Sequence, residues 1–246
     1  MASVGWVSVA AQPASGALWL AGALCRGDVA ELRPWVARPT GRSFLLAAAL
    51  LGVGGAAFGA ALGAWRSPLQ AAYGAVKLPL LFALTAACTG GLNAMLAKLY
   101  GVPLTLGQSV LAVLSSFALA GVVLGSVAPP LALLACSLPA SDSAGAGQAH
   151  RTVLLVSVGL VAWAGVAANL RLFALLKAFE VVPGQALKTL ASWLGVNLFV
   201  GAQLSWNLRP FFGSPGLAEQ LLRDDPFDGT FYECVYSSLR ALLLGS

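Results

Sequence analysis

Charge is what this chain has least of. Only 9% of its 246 residues are Asp, Glu, Lys or Arg, where a soluble domain carries roughly 25%. Hydrophobic residues make up 59%, and the mean hydropathy is +0.83. So few charges cannot cover a globular surface in water. Disordered, collagenous and ordinary cytosolic classes are excluded, and a multi-pass membrane protein remains.

Residue types that carry chemistry are equally scarce. Histidine occurs once, at His150, in an expected exposed loop beside Arg151. It lacks the partners that a metal site or a Ser-His-Asp relay needs. The four cysteines, Cys25, Cys88, Cys136 and Cys234, show no C-x-x-C spacing and suggest no disulfide framework. There is no Gly-rich phosphate loop and no G-x-S-x-G elbow. The acidic run from Asp224 to Gly229 fails as a calcium loop, because Val235 stands where the bidentate Glu belongs and Pro226 replaces a ligand. Basic residues never cluster into a patch with interleaved aromatics, so nucleic-acid binding has no footprint. The net charge of +5 comes from Lys and Arg flanking apolar runs. No catalytic residue, metal or cofactor is expected.

What the chain does have is long runs without charge. They cover residues 43–65, 78–97, 106–128, 152–170 and 189–208. At 1.5 Å per residue, about 20 residues cross a hydrocarbon core of roughly 30 Å, so each run spans once. Helices are required because backbone amides in lipid must be satisfied within the segment. The reading is an all-α polytopic integral membrane helix bundle of about five transmembrane helices, with interfacial amphipathic helices at its ends. In the third run the Pro129-Pro130 pair is expected to stop the helix near Ala128. Residues 66–77 are expected to form a separate short interfacial helix, capped by Ser67 with Pro68 at its first position. Residues 1–42 read as an interfacial or partly disordered leader, with no Lys or Arg before Arg26 to begin a secretory signal. Eight basic residues on one side against six on the other favour a cytoplasmic N-terminus.

The first run carries Gly55, Gly59 and Gly63 at four-residue spacing, and the third carries Gly121 and Gly125. Such stripes let helices approach closely, which in lipid largely replaces the hydrophobic drive. They serve packing within the bundle or contact with a partner. The polar residues of the spans are uncharged. Asn93 and Asn197 are placed to hydrogen-bond across helices, and with Gln203 they are the residues that would line a solute path. No span holds the carboxylate or His that proton-coupled transport generally uses.

The C-terminal tail, residues 210–246, follows interface anchors at Trp206 and Arg209. Leu217 to Arg223 reads as an amphipathic turn or two. Thr230-x-x-Glu233 reads as a capping box that opens a last helix, with Phe231, Val235, Leu239 and Leu242 on one face and Tyr232 beside it.

The segment Trp206 to Pro215 reads W-x-L-R-P-F-x-G-S-P, and its Arg209, Pro210, Phe211, Gly213 and Pro215 are the most distinctive residues of the tail. This ending resembles the close of a family of uncharacterised bacterial multi-pass membrane proteins. Arg66-Ser67-Pro68-Leu69-Gln70 and Lys77-Leu78-Pro79 resemble that family too. The five-span plan is similar to Yip1-type membrane organisers. The resemblance implies a non-catalytic assembly, scaffold or accessory subunit in the bacterial cytoplasmic membrane. Its partners would be the lipid bilayer and other integral membrane proteins or copies of itself.

Overall fold

A computed structural model describes residues 16–211, 213, 219–234 and 236. Among them the chain is all-α, with no strand. Seven helices follow in order: α1 Ala17–Arg26, α2 Val29–Ala37, α3 Gly41–Ala64, α4 Pro68–Leu99, α5 Leu106–Ser137, α6 Ala146–Lys177 and α7 Gln185–Leu208. Four of these, α3 to α6, are long and apolar enough to cross a membrane. Helix α7 has the length but is not among the four. Asn197, Gln203, Ser205 and Asn207 within it lower its hydropathy.

α3 is the centre of the bundle and packs most extensively against α5 and α4. α6 lies on α5 and α7 lies on α4, while α6 and α7 touch each other much less. α7 runs antiparallel along α4 for most of its length. Ser192 meets Tyr100, Asn197 meets Asn93, a Cβ on Gly201 would touch Thr85, and Pro210 meets Lys77.

α2, α3, α4 and α5 start where a side chain caps the backbone, at Asp28, Thr40, Ser67 and Thr105, not where charges end. α4, α5 and α6 each run for 32 residues, about 48 Å. The short interfacial helix expected over 66–77 is not separate. Ser67 does cap it, its hydroxyl accepting from the Gln70 amide at 3.0 Å, but the helix continues unbroken through Pro79 to Leu99. The Pro79 ring faces Gly55, where a Cβ would stand 3.4 Å from its Cγ, so the ring occupies room that α3 leaves open. The Pro129-Pro130 pair does not stop α5, which continues to Ser137. Leu131 and Ala135 beyond the pair are buried with Ala146, Ala149 and Val153 of α6. That packing offsets the lost backbone hydrogen bonds, as is common for proline in apolar helices. His150 and Arg151 therefore lie on α6 and not in a loop. His150 is half-buried with its ring 5.8 Å from that of Trp65.

From residue 17 the expected leader is ordered helix. Asp28 caps α2 by accepting from the Glu31 amide, and Gly27 joins the two helices at φ +68°, a conformation glycine adopts without a Cβ penalty. Leu20, Ala23, Leu24, Leu32 and Val36 are buried in one cluster with residues of α5 and α6. Arg33 donates to the Ala178 carbonyl at 2.9 Å, and Gln108 donates to the Ala37 carbonyl at 2.9 Å. This hairpin thus closes the end of the bundle formed by the 99–106 and 177–185 connections. Residues 1–15 lie outside the described residues.

Candidate functional site

The glycine stripe is consumed inside the chain. A Cβ at Gly59 would overlap the Gly74 carbonyl of α4, and one at Gly63 would overlap the Gln70 carbonyl. On the other side of α3, a Cβ at Gly54 would overlap the Gly121 carbonyl. A Cβ at Gly121 would stand 2.9 Å from the Leu51 Cα, and one at Gly125 would stand 2.8 Å from the Gly54 Cα. The α3 backbone thus presses on two neighbours at once, Gly55, Gly59 and Gly63 facing α4, Gly54 facing α5. Gly54 and Gly74 were not legible as members of the stripe, because Gly54 is out of its register and Gly74 stands alone in α4. Gly55, Gly59 and Gly63 are buried against α4.

A polar ladder follows one face of α4. Thr85 donates to the Leu81 carbonyl and Thr89 to the Thr85 carbonyl. Asn93 Nδ2 donates to Thr89 Oγ1 at 3.3 Å and to Asn197 Oδ1 at 3.0 Å. The indole Nε1 of the fully buried Trp193 donates to the Asn93 carbonyl at 2.6 Å. The bond across helices expected for Asn93 and Asn197 is therefore present. Gln203 stands elsewhere. Its Nε2 donates to Asn207 Oδ1 at 3.1 Å, and its Oε1 accepts from the Phe231 amide at 3.2 Å.

The two sequence segments most distant from ordinary span composition meet in space. Lys77 is almost fully buried, and its Nζ donates to the Pro210 carbonyl at 2.7 Å. Gln70 Nε2 donates to the Phe211 carbonyl at 3.0 Å. The Ser67 hydroxyl donates to the Glu219 carboxylate at 2.6 Å, which also lies 3.7 Å from Arg66 Nε. Gly213, at φ +68°, lies beside Arg66 and Gln70. Lys77, immediately before the charge-free run 78–97, was the available signal for this clasp. Arg209 stacks over the Trp206 ring at 3.0 Å. Burial, then the Arg223 cation, holds its guanidinium below the ordinary value.

The chain then folds back onto α7. Trp206 Nε1 donates to the Asp228 carbonyl. The Tyr232 hydroxyl donates to the Phe199 carbonyl, and their rings stack at 4.7 Å. The capping box is present: Glu233 accepts from the Thr230 amide at 2.8 Å, and Thr230 Oγ1 accepts from the Glu233 amide at 3.1 Å. Residues 219–223 are not helical, contrary to the amphipathic turn expected there. Gln220 instead bonds Asp224, and Glu219 is held at the clasp. Pro215, Leu217, Val235, Leu239 and Leu242 lie outside the described residues.

Between α6 and α7, over a floor of α4 and α5, lies a cleft of about 760 Å³. Its walls are apolar except for Thr85, Ser116, Asn169 and Asn197. Of the three amides read as lining a solute path, Asn197 borders this cleft and Asn93 and Gln203 do not. Among the described residues, no three His, Cys, Asp or Glu side chains gather where they would hold a metal ion. No protein-family model, curated protein or solved structure matches the chain.

Proposed function

We propose that this chain is a non-catalytic assembly, scaffold or accessory subunit within a membrane, crossing it five times with a cytoplasmic N-terminus. The observation that supports this reading is how the polar side chains of the bundle are used. Asn93, Asn197, Thr85 and Thr89 bond one another or their own helix, and Gln203 bonds the tail. Five crossings are supported by α7, which runs the length of α4 and satisfies its central amide against it. The bacterial cytoplasmic membrane is the compartment that the motif resemblance suggests.

With the glycine stripe occupied, the contact surface for another integral membrane protein, or for a second copy, falls to the outward side of α6. Leu155, Val156 and Trp163 are exposed there. The test is the mass and composition of the particle extracted from native membranes in a mild detergent. Stoichiometric companions or a defined homo-oligomer are expected, and a bare monomer overturns the reading.

A further inference from the structure

The cleft between α6 and α7 has the dimensions of one lipid chain. Along α6 its wall extends from Val161 to Phe173, about 18 Å at 1.5 Å per residue. One leaflet contributes about 15 Å of the hydrocarbon core. A transmembrane helix 10 Å across and 30 Å long would need about 2,400 Å³, three times the 760 Å³ present. A sixteen-carbon chain, at about 30 Å³ for each water-sized methylene, needs about 500 Å³. The walls suit such a chain: Leu81, Phe82, Phe117, Leu190 and Leu194 line them. Gly165 adds open space, since a Cβ there would meet nothing within 4 Å.

The end of the cleft at the α6–α7 connection is cationic. The Lys177 ammonium lies over the ring of Phe173, 5.9 Å from its centroid, and Phe173 is a cleft wall. Arg33 and Arg171 stand at the same end, donating to the carbonyls of Ala178 and Cys25. The carboxylate of this connection, Glu180, accepts from the Ala186 amide at 3.1 Å and is turned onto the start of α7.

We propose that the cleft is a binding site for an anionic phospholipid, one acyl chain lying between α6 and α7 and the phosphate facing Lys177. This does not rest on the assembly reading, since a monomer retains a lipid as well as a complex does. The test is native mass spectrometry of the full chain released from nanodiscs of equal phosphatidylglycerol and phosphatidylcholine. One retained phospholipid, predominantly phosphatidylglycerol, is expected. Gly165→Leu fills the cleft and should lower retention several-fold. Gly159→Leu, on the same helix, outside the cleft wall and equally free of contacts, should leave it unchanged. Lys177→Gln should cut the preference for phosphatidylglycerol about fivefold, the weight of one lysine near an anionic surface. Equal retention by the two leucine variants overturns the site, and so does a wild-type chain that retains both headgroups alike. If Gly165→Leu fails to fold, the Lys177 variant still decides, because Lys177 is exposed.

Discussion

Asn93 of α4 donates its side-chain amide to the side-chain oxygen of Asn197 of α7 at 3.0 Å, with Asn93 fully buried. Trp193 reaches the same residue from one turn away, bonding its carbonyl. The pair fixes the register of a helix that hydropathy alone does not commit to the membrane. A bond of this kind contributes about 0.5–2 kcal/mol in an apolar surrounding. Asn197→Ala should lose about that much stability, and Asn93→Ala a similar amount or more. The double variant should fall well short of their sum. Unfolding of the four proteins in bicelles measures the coupling, and strict additivity would show that the bond contributes nothing.

Gly59→Leu should destabilise the fold itself and not only an association. The new side chain enters the backbone of α4 at Gly74, where no flexible atom can yield. Overpacking of this type costs about 3 kcal/mol or more. Gly52→Leu adds the same bulk where a Cβ meets nothing within 4 Å and should be neutral. Thermal melts followed by size-exclusion fluorescence separate the two.

Lys77→Met should release the tail without unfolding the bundle. The variant keeps the volume and removes only the ammonium that holds the Pro210 carbonyl. A hydrogen bond from a charged group contributes about 1.5–3 kcal/mol, but losing a buried charge offsets much of that for the whole fold. Trypsin should therefore cut after Arg223 several-fold faster while the melting temperature hardly moves. An unchanged cleavage rate would show that Gln70 and Ser67 suffice to hold the tail.

Thr230→Ala should loosen the last helical turn by about 1 kcal/mol, the usual weight of an N-cap. The amide of Glu233 loses its acceptor. Hydrogen exchange at Glu233 should rise about fivefold, with exchange in α7 unaffected.

Much of the bundle was legible because water and lipid sort residues by charge. Runs without Asp, Glu, Lys or Arg mark the parts of α3 to α7 that tolerate an apolar surrounding. They do not mark helix ends. A helix continues until its backbone groups find caps, as at Thr105, where the threonine and Gln108 satisfy each other's amides. That is why Pro68 to Lys77, capped by Ser67, is the start of α4 and not a separate element.

The sequence by itself determined the all-α class, the apolar spans, the close approach that glycines in α3 permit and the capping box at Thr230. All of these depend on composition or on residues within a few positions of one another. Only the tertiary structure decided which helix each glycine meets, that Lys77 holds Pro210 across 133 positions, and that α6 and α7 stand apart over a cleft. Those outcomes depend on backbones meeting from distant parts of the chain. Spacing along one helix specifies a face but not the neighbour that covers it.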